Sequence, residues 1–329
     1  MQFFTKKAKS KGRVGLSVNS DRLAFVHMEV KDGIPHLLNC ERIDLESEKE
    51  AGPALNKLVK ELELEGTQCS YVLNPKDYNL HLVEAPNVEA EELRQAVRWK
   101  IKDLLDMKIE DAAIDVFQVP EDAYRGREMV YVVAALNSKI QNIVKLITDS
   151  GLELAVIDIP ELVMKNIATR FIDDDNGVAF MDLRKTGSTM NISRNGDLYL
   201  TRRINTQIDP DVMQSSEWND LKDRLILEIQ RSLDYYESQM GKGQITKIVI
   251  SQRQHDSQAM VESLDQMLAA KVSVFNFEDA IEFDTEVSSE DLQICMAPIG
   301  ACLRGAKKPE TVADPEPTEP PEDTEQEAA

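Results

Sequence analysis

One segment, repeated in outline, constrains the fold of this chain more than any other feature. Val178–Ile204 reads as a strand, a polar turn, a second strand, a tight turn and a third strand. The tight turn holds Asn195-Gly196, a dipeptide favoured in two-residue hairpins because both central residues need positive φ. Arg13–Leu38 has the same order, with Asp32-Gly33 in the corresponding turn. Two such units, about half a chain apart, predict a duplicated fold with two similar lobes.

The first turn of that segment has two interpretations. Asp182 closes an apolar strand and is followed by a turn that contains glycine, serine and threonine. Several folds present such a turn to phosphate oxygens. The same residues also fit a plain β-meander with hydrophilic turns. Whichever holds, two lobes usually face each other across a cleft, and ligands favour such boundaries.

Composition excludes several classes of protein. A net charge of −21 opposes general nucleic-acid binding, which requires a basic face. The four cysteines match neither a CxxC metal pattern nor a dense disulfide scaffold, and the four histidines are scattered. We therefore expect reduced, buried cysteines, no zinc site and a cytosolic protein. Neither a signal peptide nor a run of apolar residues long enough to span a bilayer is evident.

The two ends of the chain differ sharply in charge. Residues 1–12 form a basic segment that contains two phenylalanines. Such a segment is either a weak contact with the anionic cytoplasmic leaflet of a membrane or a solvated terminus. Residues 306–329 hold eight acidic residues, two basic residues and five prolines. They bury too little apolar surface to offset the entropy of ordering, so the sequence predicts a disordered acidic tail.

Between the two units, residues 80–151 predict an insert of a strand, a helix, two strands and a helix. The first of its helices, Glu89–Met107, carries an apolar stripe at helical spacing, formed by Leu93, Ala96, Val97, Ile101, Leu104 and Leu105. Trp99 lies off that stripe, beside a ridge formed by Arg94, Arg98 and Lys102. A tryptophan next to basic residues is either an anchor for a partner or a partly buried packing residue.

Three segments resemble the PilM-like family of type IV pilus assembly proteins, within the actin, sugar-kinase and Hsp70 superfamily. They are Arg94–Pro120 (RQAVRWKIKDLLDMKIEDAAIDVFQVP), Glu228–Glu237 (EIQRSLDYYE) and Ala297–Arg304 (APIGACLR). The resemblance covers roughly residues 13–305 and is greatest to the members that serve the mannose-sensitive haemagglutinin (MSHA) pilus.

The resemblance implies an α/β class and a duplicated actin-like (ribonuclease H-like) two-lobed fold with an α+β insert in the first lobe. The domains expected on this basis are a basic segment at 1–12, a first lobe at 13–79 and 152–176, an insert at 80–151, a second lobe at 177–305 and an acidic tail at 306–329.

Members of the family bind ATP with Mg²⁺ through two phosphate loops and a glycine motif beside the adenosine, and this sequence departs from all three. The pattern D-I-G-S-x-x-V-K becomes Ser17–Ala24 (SVNSDRLA), D-I-G-x-x-x-T-T becomes Asp182–Thr189 (DLRKTGST), and S-G-G-G becomes Ser251–Gln254 (SQRQ). The candidate cofactor-binding residues that remain are Ser20, Asp182, Ser188 and Thr189.

Those departures oppose ATP chemistry. A residue with a Cβ in place of glycine keeps the backbone away from a phosphate. Loss of one carboxylate removes charge that Mg²⁺ requires. We therefore expect weak or absent ATP and Mg²⁺ binding, no catalytic residues, no resident metal and no hydrolysis. Arg184, Lys185 and Arg253 would either hold an anion in the cleft or fill it and lock the lobes.

On function, the resemblance implies a non-catalytic scaffold at the cytoplasmic face of the inner membrane. It would bind the cytoplasmic tail of a PilN-like membrane protein in a groove between the first lobe and the insert, and would contact other proteins of the pilus assembly platform. The candidate partner residues are Arg98, Trp99 and Lys102.

Three alternatives remain open. An active actin-like ATPase, with or without filament formation, requires intact phosphate loops. A sugar or acetate kinase of the same superfamily requires an acidic base that the sequence does not reveal. The residues alone, without the resemblance, support only a two-lobed α/β protein.

Overall fold

The computed structural model describes residues 12–185, 188–209, 211–253 and 257–306 of the chain. The predicted basic segment, except for residue 12, and the predicted disordered tail, except for residue 306, lie outside the described residues. In chain order the strands are β1 (Arg13–Val18), β2 (Arg22–Lys31), β3 (Ile34–Asp44), β4 (Gln68–Val72), β5 (Tyr78–Glu84), β6 (Ala112–Gln118), β7 (Met129–Leu136), β8 (Glu153–Asp158), β9 (Val178–Asp182), β10 (Ser188–Arg194), β11 (Asp197–Ile204), β12 (Lys247–Ser251), β13 (Lys271–Phe275) and β14 (Glu282–Phe283).

Two helices of the described residues begin with recognisable N-terminal signals. In chain order they are α1 (Ala51–Glu61), α2 (Ala90–Ile101), α3 (Asn137–Asp149), α4 (Pro160–Phe171), α5 (Trp218–Met240), α6 (Ser257–Asp265) and α7 (Ser289–Cys302). Proline occupies the first turn of α4, where its missing N–H costs nothing. The side chain of Ser288 caps α7 by accepting a bond from the amide of Asp291. No helix in the described ranges has the length and hydropathy of a membrane span.

The two large sheets have the same strand order. The first runs β3-β2-β1-β4-β8 with β14 added at its edge, and the second runs β11-β10-β9-β12-β13. In each sheet an antiparallel meander is followed by two parallel strands. The corresponding hairpins turn at Asp32 and Asn195, which both have φ of 50°, as the Asp-Gly and Asn-Gly dipeptides predict. The structure thus confirms the predicted duplicated two-lobed fold.

The insert has a sheet of its own. Strands β5 and β6 flank β7 in an antiparallel order. Helix α2 covers one face of this sheet, and the core between them contains Leu93, Val97 and Ile101 from the helix. Helix α3 packs elsewhere: its Ile143 and Ile147 belong to the core of the first large sheet. Helix α3 also contacts β6 and β7, so it joins the insert sheet to the core of the first large sheet.

One predicted member of the α2 stripe is misplaced. The helix ends at Ile101 and continues as a 3₁₀ turn over Lys102–Leu104. A 3₁₀ turn advances side chains by a larger angle per residue than an α-helix. Leu104 consequently leaves the buried stripe and is 50% exposed.

Helices α4 and α7 lie between the two large sheets and connect the halves of the chain. Helix α7 comes from the second half but packs against β1, β2, β3 and β4 of the first sheet, while α4 packs against β10 and β11 of the second sheet. The two helices also contact each other, and their side chains share one core with both sheets. A boundary at residue 177 therefore divides the principal strands of the two sheets between the two lobes. It does not divide α7 and β14 in this way, because both follow residue 177 but contact the first sheet.

Helix α7 approaches β1 as closely as a backbone allows. A Cβ on Gly15 would lie 2.1 Å from the carbonyl oxygen of Pro298 and 3.0 Å from Sγ of Cys302. On the other side of α7, a Cβ on Gly300 would lie 2.7 Å from the carbonyl oxygen of Val163 in α4. Glycine at both positions is what lets this layer form, because the neighbouring atoms belong mainly to backbone and cannot rotate away.

We expect Gly15→Ala to lower the free energy of unfolding by about 1–3 kcal/mol or more, the cost of overpacking a dense core. Gly243→Ala is the matched control, because a Cβ there meets no atom within 4 Å. Urea unfolding of the two variants measures the difference. Equal stability of both would show that α7 does not depend on contact with β1 at this point.

Candidate functional site

Asp182 lies at the carboxyl end of β9, where the sequence predicts the second phosphate loop. Its neighbour in the sheet is β12, which runs parallel to β9 and ends at Ser251. The hydroxyl of Ser251 donates a hydrogen bond of 3.0 Å to Oδ1 of Asp182. Thr189 lies directly opposite Asp182 on β10. The parallel strands thus bring two of the three altered loops to the same edge of the second sheet.

Arg184 occupies the other oxygen of that carboxylate. Its Nε donates to Oδ2 of Asp182 at 2.6 Å, and its Nη2 donates to the carbonyl oxygen of Gln293 in α7 at 3.1 Å. Since α7 packs on the first sheet, the guanidinium joins the loop of the second sheet to the helix that covers the first. The Arg184 guanidinium therefore lies directly beside the Asp182 carboxylate and neutralises it.

Arg253 replaces a glycine of the adenosine motif and is 3% exposed. Its Nη1 donates to the carbonyl oxygen of Leu183 at 3.0 Å, and its Nη2 donates to that of Asp209 at 2.6 Å. Lys185, at the surface, pairs with the Asp209 carboxylate at 2.8 Å. Each of the three basic side chains that the sequence places in this region is therefore bonded to the protein itself.

Within the described part of the chain, the remaining candidate residues are not gathered around one point. Oγ of Ser188 accepts the backbone N–H of Arg184 at 3.0 Å, so it closes its own turn. Ser20 is exposed in the turn between β1 and β2, and within the described ranges no hydrogen bond or ion pair joins it to Asp182, Ser188 or Thr189. Residues 186 and 187 of the second loop and residue 254 of the adenosine motif lie outside the described residues.

Among the described residues, the Asp182 carboxylate does not fit the role of a Mg²⁺ ligand. Both oxygens of Asp182 accept bonds from protein donors, and a guanidinium already neutralises the carboxylate. Within the described residues, moreover, no three His, Cys, Asp or Glu side chains come together as the ligands of a metal ion would. What the arrangement does chemically is to hold the edge of the second sheet against α7.

A cavity of about 470 Å³ lies on the opposite face of the insert sheet from α2. The residues around it come from the insert, from α4 and from the second lobe: Tyr78, Asn79, Leu80, His81, Leu82, Tyr131, Glu161, Leu200, Thr201, Arg202, Arg203 and Tyr235. Its volume falls within the range of ligand sites, and its mixture of aromatic, aliphatic and cationic groups is typical of them.

The polar floor of this cavity is a buried carboxylic acid. Glu161, in the first turn of α4, is 2% exposed and accepts a hydrogen bond of 2.5 Å from the hydroxyl of Tyr78. Burial raises the pKa of Glu161, against the opposing effect of the Tyr78 bond. The Arg203 guanidinium lies 5.4 Å from the centre of the Tyr78 ring, where cation–π attraction holds it. One wall of the cavity is therefore cationic and aromatic.

The turn between β6 and β7 fastens the insert to the second lobe beside the cavity. Asp122 accepts a hydrogen bond of 2.9 Å from the hydroxyl of Tyr199 and forms an ion pair with Lys242. The bond to Lys242 lowers the pKa of the Asp122 carboxyl. The hydroxyl of Tyr131 accepts the backbone N–H of Thr201 at 3.1 Å. These contacts fix the distance between the insert sheet and β11 and so keep the cavity open.

The three predicted partner residues of α2 differ in their roles. Arg98 is engaged within the insert, since its Nη2 donates to the carbonyl oxygen of Ile109 at 2.5 Å and its Nη1 to that of Ala112 at 3.3 Å. It holds the end of α2 to the start of β6. Trp99, by contrast, is 75% exposed, and Lys102 is exposed beside it.

Sequence reasoning missed the residues of the cavity. Glu161 follows Pro160 in the first turn of a helix, where an acidic residue is ordinarily explained by the helix dipole. Arg202 and Arg203 read as the exposed end of a strand. Nothing local marks them, because the cavity exists only when the insert, α4 and β11 meet.

Comparison with solved structures confirms the fold. The chain is similar to one from a PilM–PilN type IV pilus biogenesis complex, with a TM-score of 0.67, 16% sequence identity, and coverage of 91% of this chain and 100% of that chain. A weaker similarity, with a TM-score of 0.48 and 10% identity over 87% of this chain and 94% of that chain, is to the cytoplasmic domain of EpsL, an inner-membrane component of the type II secretion system of Vibrio cholerae.

A third solved structure, from Bacteroides thetaiotaomicron, is a protein with an actin-like ATPase fold, with a TM-score of 0.48 and 10% identity over 91% of this chain and 99% of that chain. No protein-family model and no curated protein sequence matches this chain. At this level of identity the PilM–PilN similarity establishes the actin-like ATPase fold and leaves the function to be argued from the sites.

We expect Glu161→Gln to change the pH dependence of stability. Because burial raises the folded-state pKa of Glu161 above its unfolded value of about 4.3, the folded state binds the extra proton, and wild-type stability falls as pH rises through that window. The advantage of the neutral glutamine should therefore grow from pH 4.5 to pH 8.

Urea unfolding at a series of pH values measures this effect, with Glu153→Gln, at an exposed position on β8, as the control. A constant difference between Glu161→Gln and wild type at all pH values would contradict a raised pKa in the cavity floor.

Proposed function

We propose that this chain is a non-catalytic scaffold of a type IV pilus assembly platform, peripheral to the cytoplasmic face of the inner membrane. In this role it binds the cytoplasmic tail of a PilN-like membrane protein and contacts other proteins of the platform. The similarity over the full length of a chain from a PilM–PilN complex supports the assignment. The sequence resemblance to MshI, the PilM-like protein of the MSHA pilus, directs the proposal to an MSHA-type system.

The observation that carries this proposal is the site of Arg184. In an actin-like fold the cleft between the lobes is where a nucleotide would bind, and here a guanidinium joins Asp182 to α7 across that region. Hydrogen bonds to charged groups each contribute about 1.5–3 kcal/mol to stability. The chain thus connects its lobes by its own side chains, as a permanent scaffold requires and a nucleotide-driven motor does not.

The cavity beside the insert is our proposed docking place for the partner's tail. It lies between the insert, α4 and the second lobe, whereas the family resemblance implies a groove between the insert and the first lobe. Its rim carries Arg202 and Arg203 in a chain of net charge −21. An extended segment with apolar side chains and a carboxylate would match these surroundings. The outer face of α2, with Trp99 and Lys102, is the alternative location, and point variants can distinguish the two.

We expect Leu82→Glu and Arg202→Glu to reduce co-purification with a tagged PilN-like protein of the same organism at least tenfold, because they place negative charge at the wall and rim of the cavity. Trp99→Ser, on the opposite face of the insert, is the matched variant and should retain the partner. These substitutions are more informative than deletion of residues 86–150, which would also remove Ile143 and Ile147 from the core of the first sheet.

Loss of the partner with Trp99→Ser alone would place the tail on α2. Full recovery with Leu82→Glu, Arg202→Glu and Trp99→Ser alike would contradict docking on the insert altogether. Circular dichroism of each purified variant checks that its fold is intact.

We also expect no low-micromolar binding of Mg-ATP, because Arg184 and Arg253 occupy the positions that phosphate and adenosine contacts require. A ligand present at 100 times its Kd would stabilise the folded state by about 2.7 kcal/mol. Millimolar Mg-ATP should therefore leave the melting temperature unchanged. Isothermal titration that gives a Kd near 10 µM would overturn this expectation and favour an active actin-like ATPase.

A further inference from the structure

Three of the four cysteines lie where α7 packs on the first large sheet. Cys295 and Cys302 belong to α7 and Cys40 to β3, and all three contribute to the core that this helix shares with both sheets. Cys69, on β4, belongs to a different core. All four are free thiols, and Cys40 is partly exposed whereas the other three are buried. Of the four, Cys40 is therefore the one that a small oxidant can reach from solvent.

A β-bulge turns the side chain of Cys40 toward α7. The register between β2 and β3 shifts at Leu38, which has no partner on β2. Successive side chains alternate between the two faces of a strand, so one extra residue brings Leu37 and Cys40 to the same face. Both contribute to the core that contains the α7 side chains. Cys40 consequently faces the helix from the strand.

Ion pairs one turn earlier in α7 set the alignment of the helix on β3. Nη1 of Arg42 lies 2.6 Å from Oε1 of Glu290, and its Nε lies 3.5 Å from Oδ1 of Asp291. Cys295 follows Asp291 by four residues, which is about 6 Å along a helix. Cys40 precedes Arg42 by two residues, which is about 6.6 Å along a strand. The two steps match, so Cys40 and Cys295 lie opposite each other.

The contacts of Cys295 agree with this alignment. Its Sγ lies 3.9 Å from the carbonyl oxygen of Glu41, the residue next to Cys40. A side-chain hydrogen bond with Cys40, together with burial, raises the pKa of the Cys295 thiol. Since the thiolate is the reactive form of cysteine, Cys295 stays protonated until the more accessible sulfur of Cys40 has been oxidised.

We propose that Cys40 and Cys295 form a reversible disulfide when the protein meets hydrogen peroxide. The peroxide oxidises Cys40 to a sulfenic acid and is itself reduced to one water. The sulfur of Cys295 then attacks the sulfenic sulfur, the S–S bond forms, and the hydroxyl group leaves with the Cys295 proton as a second water. Two thiols thus give two electrons and two protons to one peroxide. A reducing thiol reverses the reaction by thiol–disulfide exchange.

The disulfide braces the helix that joins the two lobes. Cys295 lies two residues after Gln293, whose carbonyl oxygen accepts a hydrogen bond from the Arg184 guanidinium. Oxidation therefore adds a covalent link from β3 to the part of α7 that holds the second sheet. A cross-link between residues far apart in the chain restricts the unfolded state, so the oxidised protein is the more stable form. This property is independent of partner binding at the cavity.

Peptide mapping of the full chain under non-reducing conditions, after treatment with millimolar hydrogen peroxide, tests the proposal. We expect one cross-linked pair of peptides that contains Cys40 and Cys295. The cross-link should be lost in Cys40→Ser and Cys295→Ala and reversed by dithiothreitol, whereas the matched control Cys69→Ala should retain it. Oxidised wild type should melt about 5 °C or more above the reduced protein, a shift that Cys40→Ser should lack.

Contrary results are read on the wild-type protein, so they hold even if Cys295→Ala, at a buried position, does not fold. Thiols that stay free would overturn the proposal, as would oxidation of Cys40 to a sulfinic or sulfonic acid without the cross-link. A disulfide between two molecules, or cross-links to Cys69 in equal yield, would show that the α7–β3 alignment does not direct the reaction. An unchanged melting temperature would contradict the brace.

Discussion

The structure depends on the close approach of α7 to β1. Because Gly15 and Gly300 have no side chains, the helix contacts β1 on one side and α4 on the other at backbone distance. The layer formed by α4 and α7 then shares one apolar core with both large sheets. A helix from the end of the described chain therefore covers the first sheet, and the two lobes share part of their core.

This layer also explains how the lobes are joined at the altered cleft. Helix α7 presents the carbonyl oxygen of Gln293 to the loop after β9, and Arg184 spans from that oxygen to Asp182. Because both groups belong to the chain itself, this connection requires no bound ligand.

The sequence allowed part of this structure to be predicted. Turn dipeptides and apolar spacing are local signals. They allowed us to predict the repeated meanders, the hairpins at Asp32 and Asn195, and the helices of the insert. The α7–β1 contact was not, because glycine at residue 15 looks like an ordinary interruption of a strand until residue 298 lies against it. Leu104 was misplaced because a change from α-helix to 3₁₀ turn leaves no mark in the apolar spacing.

The candidate site residues likewise include some that local sequence signals mark and others that depend on tertiary structure. Asp182, Ser188 and Thr189 could be named together because they lie within one short segment, whereas Ser20 belongs to a distant turn and lies apart from them. The cavity was missed because its residues come from three separate parts of the chain. Its floor, Glu161, is acidic and buried, a combination that costs free energy unless the group is bonded or neutral, and the bond from Tyr78 supplies a partner.

The insert differs from the rest of the molecule in having one attached and one exposed face on a single small sheet. On one face, Asp122, Tyr199 and Lys242 attach it to the second lobe and frame the cavity. On the other face, α2 buries Leu93, Val97 and Ile101 and leaves Trp99 exposed. The cavity walls are therefore held by contacts within the protein, and a segment docked there would require no movement of the lobes.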